Sequence, residues 1–95
     1  MKTLFVTLKT KDRESARIIL RTLLHLRILA EDETGMIHYE IFQSEENELD
    51  YYVRETWTNE KTLENHLSTP QIAKLMELCK TTLTEILTVL PLKTL

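Results

Sequence analysis

Four side chains in this 95-residue sequence have the chemistry to move a proton next to a planar ring: Tyr39, Glu55, Trp57 and His66. An imidazole titrates closest to neutral pH, so His66 is the natural base of the set. The Tyr39 hydroxyl can donate to a growing negative charge. The Trp57 indole offers a flat face on which a ring can stack. The Glu55 carboxylate can orient the His66 imidazole or raise its basicity. Asn65, beside His66, and Ile72 and Met76 on the next helical segment complete the expected lining of a binding pocket. Each residue also has a plain structural reading. His66 lies on an apolar helix face and can serve as a hydrogen-bonded core histidine. Trp57 can fill the core at a strand end. Glu55 can cap the helix that follows or pair with Arg27 or Arg54.

These groups need a scaffold that brings them together. Leu4 to Leu8 is a short apolar, β-branched run and reads as a strand. Asp12 then caps a long amphipathic helix reaching to about Ala30, with Glu14 well placed in its first turn. Gly35 marks the turn into a strand from Ile37 to Ser44. The acidic stretch Glu45 to Asp50 is a solvated hairpin loop, and Tyr51 to Trp57 is the third strand. Thr58 or Asn59 caps a short helix bearing Leu63, His66 and Leu67. Thr69 and Pro70 restart the helix, with proline at its first position where a missing N–H costs nothing. That helix is expected to turn Ile72, Ala73, Met76 and Cys79 inward. Thr84 to Leu90 is ambiguous, since Leu83, Ile86, Leu87 and Leu90 also fit a helical stripe; the strand is the reading taken, because the threonines weaken a helix and Pro91 closes the segment. The order is β-α-β-β-α-β, an α+β, ferredoxin-like fold with a four-stranded antiparallel sheet, spanning residues 1–95 as one domain.

Strand alternation sorts the candidates by face. Tyr51, Val53, Glu55 and Trp57 point one way, and Tyr52, Arg54 and Thr56 the other. Ile37, Tyr39 and Ile41 share a face opposite His38, Glu40 and Phe42. With the Glu55 and Trp57 face under the helices, Tyr39, Glu55, Trp57 and His66 converge on one cavity.

Whole-chain properties narrow the function classes. Apolar residues are 42% and charged residues 28%, the balance of an ordinary globular domain. A net charge of -3 and the lack of a basic run argue against nucleic acid as a partner. The N-terminal apolar stretch is too short for a signal peptide or a membrane span, so a cytoplasmic location with no membrane partner is expected. The one cysteine, Cys79, suits a reducing compartment and reads as a buried apolar group. His25, His38 and His66 are not spaced as paired metal ligands, so no metal site is expected.

Three segments together resemble the antibiotic biosynthesis monooxygenase (ABM) family. Glu33-Thr34-Gly35 followed by Met36-Ile37-His38-Tyr39 is similar to the family's acidic-x-Gly turn and tyrosine-bearing strand. Tyr51-Tyr52-Val53-Arg54-Glu55-Thr56-Trp57 looks like its aromatic strand ending in Glu-x-Trp. Leu63-Glu64-Asn65-His66-Leu67-Ser68-Thr69-Pro70 is similar to its His-bearing helix with a Thr-Pro restart. The resemblance implies a homodimer whose sheets pack face to face as a dimeric α+β barrel, with a pocket between sheet and helices in each subunit. It further implies a cofactor-free monooxygenase acting with O₂ on a small electron-rich aromatic such as a quinol or anthrone. Such a substrate, once deprotonated, reduces O₂ itself. His66, Tyr39 and Glu55 would carry the chemistry. Gln71 stands where many members have a second histidine, so His66 would act alone as the base. Haem-degrading relatives use an axial histidine on the helix after the Thr-Pro position and an asparagine on the first strand, and both are missing here. Two other classes use the same residues: an isomerase or lyase in which His66 shuttles a proton between carbons, and a non-catalytic dimeric ligand-binding protein.

Overall fold

The computed structural model describes all 95 residues. The chain runs β1 (Lys2–Lys9), α1 (Arg13–Glu31), β2 (Met36–Gln43), β3 (Asp50–Trp57), α2 (Glu60–Leu67), α3 (Pro70–Thr82) and β4 (Thr88–Leu92). The four strands form one antiparallel sheet in the order β2-β3-β1-β4. This is the ferredoxin-like arrangement, with the crossover between β3 and β4 carried by two helices. No helix is long and apolar enough to cross a membrane.

One sheet face is covered by helices. Leu8, Tyr51 and Val53 from the sheet pack against Ile19, Leu23 and Leu26 of α1 and against Leu75 and Cys79 of α3. A smaller cluster of Leu4, Trp57 and Leu63 seats α2 on one end of the sheet. The other face carries Phe5, Tyr52, Arg54, Thr56, His38, Phe42, Leu90 and Leu92, by the register of the four strands. Phe5 and Tyr52 stack there with centroids 5.7 Å apart.

Local chemistry accounts for the helix ends. Asp12 accepts from the Ser15 backbone N–H at 2.8 Å and starts α1 as expected. Asn59, rather than Thr58, caps α2 and forms a reciprocal capping box with Thr62. Thr69 occupies the cap position of α3, but its hydroxyl turns back and donates to the His66 carbonyl at 2.7 Å. It therefore fastens the last turn of α2, the turn that carries His66.

Three expectations are corrected. The last strand is Thr88–Leu92, not Thr84 to Leu90, and Pro91 lies inside it. Leu83 and Thr84 already touch the end of β1 through Thr10 and Lys9. From there β1 advances only to Thr7 while the C-terminal segment runs on to Thr88, so the surplus residues loop outward and cannot pair. Pro91 is tolerated because β4 is an edge strand with one unpaired side. Ile37 does not share a face with Tyr39 and Ile41. A bulge between Met36 and His38 sets Met36 opposite Trp57 and leaves Ile37 exposed. On α3, Leu75, Cys79 and Thr82 are the buried residues, whereas Ala73 and Met76 are exposed and Ile72 is half-buried.

The turn between α1 and β2 depends on Gly35, whose φ of 88° is the only positive value in the chain. A Cβ there would lie 2.5 Å from the Thr62 side chain. The Gly35 carbonyl also accepts from Thr58 N–H at 2.8 Å, which ties the turn to the end of β3. Gly35→Ala is therefore expected to cost about 2–3 kcal/mol in denaturant unfolding, from the backbone strain and the clash together.

Candidate functional site

His66 is the pivot of the site. It sits in the last turn of α2 with its side chain only 1% exposed. Its ring lies 4.4 Å from the Trp57 indole, tilted by 31°, and meets Tyr39 edge-on at 6.5 Å. Its Nδ1 lies 2.9 and 3.0 Å from the two carboxylate oxygens of Glu33. A carboxylate only accepts, so Nδ1 carries a proton, and in the neutral form of the ring Nε2 is the bare nitrogen. That Nε2 is buried and has no hydrogen-bond partner. Glu55 Oε1 lies 3.6 Å from it, too long for a hydrogen bond.

Glu33 was not singled out for a role by the sequence. It lies just past α1, where its backbone N–H still bonds to Ala30, and Gly35 bends the chain so that the side chain turns under α2. The only local sign is an acidic residue two positions before the one glycine. Its partner lies 33 residues away, which pattern reading cannot reach.

Glu55 and Tyr39 are neighbours across β2 and β3 in the expected register. Glu55 is buried, and its Oε1 accepts from the Trp57 indole N–H at 3.1 Å. Burial pushes its carboxyl above the usual carboxylate range; His66 and the Trp57 N–H oppose that shift, and the charge of Glu33 adds to it. Burial, with the charges of Glu55 and Glu33, drives the Tyr39 phenol well above its ordinary value, so it remains a neutral donor. Burial likewise raises the Cys79 thiol to about 11, which keeps it protonated.

His66, Glu55 and Tyr39 open on a cavity of about 130 Å³ between the sheet and the helices. Its other walls are apolar, among them Leu4, Val53, Leu75 and Val89. Ile72 and Met76 line it, as proposed from the sequence. Trp57 and Asn65 do not. Trp57 is fully buried beneath His66 and acts on the cavity only through that ring and Glu55. Asn65 is exposed on α2, one residue and therefore about a quarter-turn from His66. Arg54 pairs with Glu40 on the opposite sheet face, so it is not the partner of Glu55.

The arrangement is suited to taking a proton. An imidazole lines an apolar space, its Nδ1 is anchored to a carboxylate while its Nε2 has no hydrogen-bond partner, and a neutral phenol stands alongside. The imidazolium formed on proton transfer would lie between Glu33 and Glu55.

The family described as antibiotic biosynthesis monooxygenase matches residues 1–78. Several solved structures share the fold. A Pseudomonas aeruginosa protein superposes with a TM-score of 0.88 at 22% identity, covering 99% of this chain and 93% of its own. A structure described as an antibiotic biosynthesis monooxygenase gives 0.89 at 19% identity, with 100% and 99% covered. A Mycobacterium tuberculosis protein gives 0.85 at 20% identity, with 99% and 94% covered. At these identities the likeness is one of fold. No protein of curated function matches the sequence.

The raised carboxyl of Glu55 makes a signed prediction. A folded-state value above the unfolded one gives stability that is present below the unfolded value and lost as pH rises toward the folded value. Glu55→Gln keeps an oxygen for the Trp57 N–H and cannot ionise. Thermal unfolding from about pH 4 to about pH 8 should show the variant gaining on the wild type as pH rises. A gap that stays constant or reverses would remove the burial argument for Glu55.

Proposed function

The chain belongs to the antibiotic biosynthesis monooxygenase family, and from that premise we propose that it is a cofactor-independent monooxygenase acting on a small electron-rich aromatic. The observation that supports this reading is His66 itself, which lines an apolar cavity, is held at Nδ1 by Glu33 and has no hydrogen-bond partner on Nε2. His66 takes the hydroxyl proton of a bound quinol. The resulting anion passes an electron to O₂, and the two radicals combine into a ring peroxide. Loss of water leaves one oxygen atom on the ring. One quinol and one O₂ give one hydroxyquinone and one water, with all four electrons drawn from the substrate.

Each neighbour of His66 has a part in this scheme. Glu33 holds the tautomer that leaves Nε2 bare. Tyr39 donates to the developing oxyanion. Glu55 counters the charge of the imidazolium. The apolar walls keep water away, which strengthens these interactions during the reaction.

The reading includes a homodimer. A chain this short buries a limited share of its surface. Phe42, Leu90 and Leu92 stand exposed on the sheet face opposite the helices, where a second sheet would cover them. Sedimentation should show a dimer at micromolar concentration, and Phe42→Asp with Leu90→Asp should yield a folded monomer. A wild-type monomer would exclude the paired-sheet packing.

Oxygen consumption by metal-stripped protein against a panel of quinols and anthrones tests the chemistry. His66→Ala should lower the rate about a hundredfold to ten-thousandfold, the usual worth of a general base. His66→Gln, which still offers Glu33 a donor, separates loss of the base from loss of the fold. Wild-type uptake no faster than the enzyme-free rate across the panel would overturn the oxygenase reading.

A further inference from the structure

The cavity beside His66 is small. A dry apolar cavity of roughly 150 Å³ takes one benzene ring, so the space of about 130 Å³ here accepts a single six-membered ring and not a fused tricycle. Its charge pattern is equally selective. The ionisable groups on its walls are His66, Glu55 and the neutral Tyr39, and no lysine or arginine lines it. Glu33 adds a second carboxylate behind the imidazole. A carboxylated or phosphorylated ligand would meet like charge with no cation to neutralise it.

The ring chamber does not end the apolar space. Met76 and Leu87 form part of its wall and also of a neighbouring groove of about 400 Å³. Cys79, Leu83 and Ile86 continue the apolar lining of that groove. Two charged groups border it, and each is engaged elsewhere. Lys80 pairs with Glu77 at 3.0 Å, and Glu85 with Lys9 at 3.7 Å. The outward loop between Leu83 and Thr88 forms one wall, so the surplus residues that interrupt pairing with β1 also build the groove. Ile86, 89% exposed, stands along it with no partner within the chain's core clusters.

We infer that the ligand is a neutral single-ring phenol or hydroquinone carrying an apolar side chain, with the ring in the chamber against His66 and the chain along the Met76–Leu87 groove. The inference deepens the oxygenase reading and rests on it for the identity of the ring. The chamber and groove select the size, the charge and the tail.

The test is calorimetric binding under argon, where no turnover occurs, using hydroquinone and its methyl, propyl and pentyl derivatives. A dihydroxybenzoate and a tricyclic anthrone serve as the charged and oversized probes. Affinity should rise about threefold to fourfold per methylene over the first few carbons, the worth of a buried CH₂. The dihydroxybenzoate and the anthrone should bind at least about tenfold more weakly than propylhydroquinone, given the missing cation and the missing space. Ile86→Asp, at a position too exposed to be needed for folding, should reduce the gain per methylene. Affinity independent of chain length, equal binding of either probe, or no binding by the whole series would overturn the assignment. Oxygen uptake on the same series keeps the two readings apart. Tight chain-dependent binding without uptake sinks the oxygenase and leaves the ligand class standing. Uptake without chain dependence does the reverse.

Discussion

A fully buried imidazole normally needs a partner on each ring nitrogen, because an unpaired buried polar atom costs about 1–3 kcal/mol. His66 has Glu33 on one nitrogen and nothing on the other. The surrounding structure is arranged to hold that imbalance. Trp57 fixes the ring plane from below, Thr69 fastens the backbone carbonyl of the same residue, and the Asn59 capping box keeps the short helix in register. Gly35 bends the chain sharply enough to bring Glu33 beneath α2.

The electrostatics follow from the same contact. Two carboxyls approach one imidazole from opposite sides, at 2.9 and 3.6 Å. Burial drives Glu55 up, and the ring beside it pulls the other way. Such a set tolerates a positive ring far better than a negative ligand. That asymmetry suits a site that accepts a proton from a neutral molecule.

The two faces of the sheet divide the labour. The helix-covered face builds the chamber from alternate residues of all four strands. The opposite face carries stacked aromatics and exposed aliphatics that a small chain has no helix left to cover. Because β4 sits at the edge and its approach is interrupted at the Leu83 to Thr88 loop, the rim of the chamber belongs to the least paired part of the fold.

Much of this was legible in the residues themselves. Period-two alternation put Tyr51, Val53, Glu55 and Trp57 on one buried face, because a strand's side chains must alternate. Asp12, Gly35 and the Thr69-Pro70 pair marked element ends through local hydrogen bonding and φ restrictions that depend on few neighbours. The family resemblance, carried by three short segments, pointed to the fold and to His66. Tertiary structure alone decided the rest. The Glu33 partnership joins residues far apart in sequence, and no local signal encodes such a contact. The bulge at Ile37 exchanged it for Met36, a shift of one residue that reverses a face and that alternation cannot foresee. Trp57 and Asn65 left the cavity wall, the first because His66 covers it and the second because one helical step points it to solvent. The last strand moved past Pro91 because pairing is settled by what β1 still has free, and only the folded sheet determines that.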